Sequence, residues 1–380
     1  MTTNGDRGTR LTAADRPGVA QPVPERPVPD RPWRGIFIGA VVVFVAAMAV
    51  WEWQMRRLQL AAGDLRDNGS AWAEQRRRID AGEGAVVIVG DSRILFDTDL
   101  DRFAAMTGVR PIQLALPGTN ARPFLEELSR DDDFRGLLIV GISDVSYFRD
   151  ALGLRGDALE RYRFEAPSAR TSFLIDRVLQ GTFAFMDDNY TLPKLVQRSD
   201  EGVRAGVRGP YQDVWKISKI YADRQYAMWP RLETDAYLRD HAISVWMSTP
   251  RMPVSDATRT MTLAVTRDSV ARIRARGGEV VFVRPPSHAP LRALEETQIP
   301  RKRGWDALLA DAGVAGAHYE DYPSMQGLEL PEWSHLSRTC ATVFTDAYVR
   351  ALAQLTSRLK LREDAPTAPS PNDCRSALPR

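Results

Sequence analysis

The residues best suited to chemistry are a serine that ends one apolar run and a histidine far downstream of it. Ser92 lies in AVVIVGDSRILF (85–96), where five apolar residues give way to Gly90-Asp91-Ser92-Arg93. His335 lies in LPEWSHLSRTCATVF (330–344), three residues after Glu332. A serine hydroxyl is too weakly acidic to attack at neutral pH unaided, so it needs a base, and an imidazole base needs an anion on its other ring nitrogen. Ser92, His335 and Glu332 supply nucleophile, base and orienting acid. Taken alone, the tetrapeptide reads better as a strand-ending turn in which Gly90 allows the bend and Asp91 and Ser92 act as capping residues.

Groups so far apart in sequence meet only if the fold brings them to one rim. From Gly84 onward, the apolar runs AVVIV (85–89), PIQLAL (111–116), GLLIVGI (136–142), EVVFV (279–283) and GAHYE (316–320) predict strands, most of them apolar on both faces. Helical stretches separate them: DTDLDRFAAMTG opens with capping Asp residues and ends in Gly, ARPFLEELSR follows the second strand, and TRTMTLAVTRDSVARIRARGG precedes the fourth. This alternation predicts an α/β domain with a parallel sheet covered by helices on both sides, in which ligands sit at the carboxyl ends of the strands. Both Ser92, after the first strand, and His335, before the closing helix, fall at that rim.

Over residues 84–358 the chain resembles the SGNH or GDSL-type serine hydrolases and acyltransferases, through its Gly-Asp-Ser block and its acid-x-x-His block. The resemblance implies a three-layer α/β/α sandwich, Ser92 as nucleophile, His335 as base, and Glu332 where that family usually carries Asp. It implies an oxyanion hole from the backbone N–H groups of Ser92 and Gly118, the latter in LALPGTNARP, with Asn120 nearby. The third block, usually Gly-x-Asn-Asp, reads Gly141-Ile142-Ser143-Asp144, so Ser143 stands where an Asn side chain ordinarily donates. A kept nucleophile and His beside an altered third block is similar to divergent membrane-anchored members that act on cell-envelope polymers, such as those of alginate O-acetylation and teichoic acid D-alanylation. Arg284 and His288 in VFVRPPSHAPL are expected to line the site and contact an anionic or sugar substrate, and Asp91 and Arg93 are grouped with them; a rigid Pro-rich loop with ordinary surface polar groups is the other reading.

GIFIGAVVVFVAAMAVW (35–51) holds no charge and as a helix would be about 25 Å long. With Trp33 on one side and Trp51 and Trp53 on the other, it reads as a transmembrane helix over 35–53. A buried core helix, or a signal peptide cleaved near Ala47-Met48-Ala49, is the alternative. The first 34 residues hold six Arg against four acids, and the Pro-, Gly- and Arg-rich stretch reads as a disordered cytoplasmic tail, so the expected placement is a single pass through the cytoplasmic (inner) membrane with the catalytic domain outside it, in the periplasm. Residues 54–83 are expected as a helical linker, about 148–258 as a helical, aromatic-rich insertion with structure of its own, and 359–380 as a disordered tail.

With 51 basic and 49 acidic side chains the chain carries no bulk field for nucleic acid, and it has no nucleic-acid-binding motif. No phosphate loop or metal-spaced cluster occurs, so no cofactor or metal is implied. His241 and His318 are given no role. Cys340 and Cys374 read as a disulfide in an oxidising compartment or as two free thiols. The expected function is a serine esterase or O-acyltransferase on a cell-surface polysaccharide or other acylated glycan, working with a membrane-bound O-acyltransferase. The reading from a different class is a non-catalytic domain that binds glycan or scaffolds such an acyltransferase.

Overall fold

A computed structural model describes residues 29–149, 155–200, 215–248 and 252–374. Strands β1 (Val86–Gly90), β2 (Ile112–Gln113), β3 (Leu137–Gly141), β6 (Glu279–Arg284) and β7 (Ala315–His318) form one parallel sheet in the order β2-β1-β3-β6-β7, while β4 (Ser218–Ile220) and β5 (Tyr226–Met228) pair as a separate antiparallel hairpin. All five sheet strands fall on the apolar runs of the sequence.

Alternation along each strand feeds two cores. Val86, Ile88, Leu137, Ile139, Val281 and Val283 face the side packed by helices Leu100–Thr107 and Arg338–Leu355. Val87, Val89, Leu138, Val140, Val280 and Phe282 face helices Arg122–Ser129, Asp256–Ala275 and Trp305–Ala312. Water reaches neither face, which is why the strands are apolar throughout. Because β2 and β3 lie on opposite sides of β1, the direction of winding reverses between β1 and β3, and a crevice for ligands opens at such a point.

Gly90 and Gly141 are register partners there. A Cβ on either would collide with Ile94. Their absence of side chains lets Ile94 seat the turn that bears Ser92 directly on the strand ends.

The chain divides into two units, Met1–Trp51 and Glu52–Arg380. Helix Trp33–Arg57, of 25 residues, is long and apolar enough to cross a membrane, and it extends at both ends beyond the expected 35–53. The tail expected over 1–34 lies mostly outside the described residues.

Two expected boundaries need correction. Residues 54–83 are not a linker: Met55, Leu60 and Trp72 are buried, Trp72 donates its indole N–H to the Leu114 carbonyl at 2.9 Å, and Arg76 pairs with Glu127 at 3.0 Å. Nor is the segment after residue 358 a loose tail, as far as Cys374. Leu359 is buried, Arg362 donates its backbone N–H to the Met106 carbonyl at 2.8 Å, and Cys374 forms a disulfide with Cys340. The insertion is helical among its described residues apart from the β4–β5 hairpin, whose strands are too short to show a period.

Candidate active site

The loop between β7 and helix Arg338–Leu355 carries acid and base. Glu332 Oε1 accepts the His335 backbone N–H at 2.6 Å and lies 2.8 Å from His335 Nδ1, so one carboxylate oxygen fixes both the loop and the ring. Trp246, on helix Ala236–Ser248, donates its indole N–H to the other oxygen. Glu332 is 0% exposed. With the Nδ1 proton directed at Glu332, Nε2 is left as the acceptor, and this buried atom has no hydrogen-bond partner among the described residues. That is the protonation pattern of a general base. The acid, and not a backbone carbonyl, orients the ring. Trp333, between them, has the left-handed φ of 73°. Its ring stacks on His288 at 5.2 Å and its carbonyl accepts the His288 N–H at 3.0 Å, which holds a conformation costing about 1–3 kcal/mol.

Ser92 opens the helical turn Ser92–Phe96, capped by Asp91, whose Oδ1 accepts the Arg93 N–H at 3.0 Å. Residues four apart share a helix face, so Ser92 and Phe96 point the same way. The His335 ring stacks on Phe96 at 4.3 Å between centroids, which brings the imidazole to the face that bears the serine. Two bonds stitch these segments together: Leu336 N–H to Asp97 Oδ1 at 2.9 Å, and Arg93 Nε to Ser334 Oγ at 3.4 Å. Burial pushes the Asp97 carboxyl well up. No direct hydrogen bond joins Ser92 Oγ to His335.

The two expected side-chain donors of the oxyanion hole are committed elsewhere. The Ser143 hydroxyl and N–H both go to Asp91 Oδ2, at 2.6 and 3.0 Å, and Ser146 joins the same cluster. A buried carboxylate needs donors, and Ser143 is short enough to supply one at close range. Asn120 accepts the Arg122 N–H at 2.8 Å and donates to the Arg149 carbonyl. Gly118 differs: it is exposed, has φ of 63°, and among the described residues neither its amide nor that of Ser92 has an acceptor. Those two N–H groups are the expected oxyanion donors that are left without a protein acceptor among the described residues.

Of the expected substrate contacts, Asp91, Arg93 and Arg284 turn inward. Arg284 is fully buried, binding Asp144 at 2.9 Å and Glu295 at 2.7 Å, while Arg93 binds the other Glu295 oxygen. Burial acts to raise the Glu295 pKa, but Arg93 and Arg284 outweigh it and hold it down to about 2. This network ties the ends of β1, β3 and β6 beneath the serine. Arg93 and Arg284 are therefore positioning residues. His288 is exposed, its ring on Trp333. His318, at the end of β7, is pushed down to about 2 by burial and by Arg284 and Arg301.

Comparison with known proteins finds no family model that matches the chain and no curated protein similar to it. What the site can do is thus carried by its geometry. A cavity of about 380 Å³ adjoins it, with Phe96, Gly118, Trp246, Tyr226 and Trp215 on its walls together with Asp64, Asp187 and Asp188. Three of these residues also serve the site: Phe96 bears His335, Trp246 holds Glu332, and Gly118 offers its amide. Sequence reasoning missed Trp246, Phe96, Asp97 and Glu295. Only Phe96 carried a signal, its four-residue spacing from Ser92.

Proposed function

We propose that the chain is a membrane-anchored serine acyl-esterase or O-acyltransferase with an SGNH-like α/β/α domain outside the cytoplasmic membrane, acting on an acylated cell-envelope polysaccharide. One observation carries the reading: a buried Glu332–His335 pair whose Nε2 is unpartnered and whose ring lies on the turn that begins with Ser92. His335 Nε2 takes the Ser92 proton as Oγ attacks the ester carbonyl. The oxyanion accepts from the Ser92 and Gly118 amides. The imidazolium, stabilised by Glu332, returns its proton to the leaving alcohol, and the acyl-serine then passes its acyl group to water or to a sugar hydroxyl deprotonated by the same imidazole. The membrane-length helix and the Cys340–Cys374 disulfide support placement beyond the cytoplasm, where disulfides persist.

The test is hydrolysis of a p-nitrophenyl ester series by the full-length protein in detergent. Ser92→Ala and His335→Ala are each expected to lower the rate by about 10³-fold or more. Equal rates in all three proteins would sink the reading. The non-catalytic alternative is favoured by the missing Ser92–His335 hydrogen bond and by the missing side-chain oxyanion donor. It expects no esterase activity and unchanged glycan binding by Ser92→Ala.

A further inference from the structure

Helix Pro167–Thr182 is amphipathic in the wrong sense for a solvated surface. Its inward side is largely polar: Gln180 accepts the Arg66 N–H at 2.8 Å, Arg177 pairs with Glu74, and Asp176 lies 3.9 Å from Arg66, with Phe173 the main apolar anchor. Its outward side holds Leu174, Ile175 and Val178, which are 51%, 54% and 69% exposed. Thr171 and Thr182 continue that stripe at helical spacing, with no charged residue on it. An apolar stripe presented outward from a polar inner face marks an interaction surface.

The position of this helix along the chain path indicates what covers it. Glu52, the residue immediately after Trp51, accepts the backbone N–H groups of Ala184 and Phe185 at 3.1 and 3.0 Å. Met55 and Leu60 are buried in the same unit, so residues 52–60 belong to the domain and give it no leash. The segment that follows helix Pro167–Thr182 is thereby held on Glu52. Val178 precedes the last helical residue, Thr182, by four residues, about 6 Å of helix, and Ala184 follows two residues later. The interfacial zone in which in-plane helices lie is of that thickness, about 5–10 Å. Exposed Arg170, next to Thr171, is suited to lipid phosphates.

We propose that helix Pro167–Thr182 is a second membrane contact, lying on the same bilayer that helix Trp33–Arg57 crosses, with Leu174, Ile175, Val178 and Phe183 in the boundary between headgroups and acyl chains. The proposal rests on that spanning role and on no assumption about catalysis.

The experiment reconstitutes the full-length chain, disulfide intact, into vesicles of phosphatidylethanolamine and phosphatidylglycerol, with single spin labels at Val178→Cys, at Val43→Cys within the span, and at Asp133→Cys, an exposed site in the turn before β3. Collision with a water-soluble nickel complex and with oxygen reports depth. Val178 is expected to meet nickel about tenfold less often than Asp133 and to meet oxygen more often. Nickel access equal to that at Asp133 while Val43 stays deep overturns the docking alone, and an exposed Val43 overturns the span on which it rests. Protection of Val178 from both reagents means that protein covers the stripe, a second copy or a partner, and equally overturns a lipid contact. A Leu174→Asp variant, at a site exposed enough to leave the fold intact by near-UV circular dichroism, is expected to restore nickel access at Val178.

Discussion

The two halves of the candidate site contrast sharply. On the base side each Glu332 oxygen is directed at a reaction group or its support, and His335 Nε2, where a proton would arrive, has no hydrogen-bond partner among the described residues. On the oxyanion side Asp91, Ser143 and Asn120 satisfy one another or nearby backbone, and only main-chain amides remain. Buried polar atoms take the nearest partner that satisfies them. A residue is available for chemistry when no such partner is at hand, whatever its type.

Breaking the base side has the largest expected effect. Glu332→Gln removes the anion that fixes the ring tautomer and stabilises the imidazolium, and should lower kcat/KM by about 10³–10⁴-fold in the ester assay. Acid pH blurs the contrast, because it also destabilises the platform under the site. His318 is held at about 2 against an unperturbed 6.5. Its folded pKa is depressed, so the unfolded chain takes up the proton first. Stability is full above about pH 6.5 and falls below it by up to about 1.4 kcal/mol per pH unit. Glu295, at about 2 against 4.5, adds a loss only below pH 4.5. His318→Gln should flatten a plot of Tm against pH between about 6.5 and 4.5.

Trp246→Phe, which takes a charged hydrogen bond from Glu332, should cost about 1.5–3 kcal/mol, read as a roughly tenfold to hundredfold fall in rate with a lower Tm. The smallest effect sharpens the contrast. Ser143→Ala should lower stability by about 1 kcal/mol while changing the rate less than about threefold. A rate loss like that of Glu332→Gln would restore Ser143 to the oxyanion hole.

The sheet was legible because both its faces are buried: strands that must be apolar on every side stand out as Val-, Ile- and Leu-rich runs. The Glu332-x-x-His335 spacing was legible for a local reason, since three residues of loop suffice to bring a carboxylate back to its own ring. Trp246 was not, because its partner lies 86 residues away and it is one aromatic among many in the insertion. Arg284 misled because position at a strand end says which rim a residue occupies and nothing about which way a long side chain turns. It turned toward Glu295, a partner that sequence spacing does not single out. The C-terminal segment looked like a tail because Pro-rich composition hides a chain held by backbone hydrogen bonds and a disulfide.

That disulfide gives the protein a maturation step. Cys340 Sγ accepts the Glu329 N–H at 3.2 Å, and the Glu329 carbonyl accepts the Ser337 N–H at 3.0 Å, so the sulfur that Cys374 locks also steadies both ends of the stretch bearing Glu332 and His335. Residue 374 follows in the chain everything that it clasps. A chain clipped before it therefore keeps Ser92 and His335 but not the clasp, and the loop is tightened only once an oxidant has joined the two cysteines.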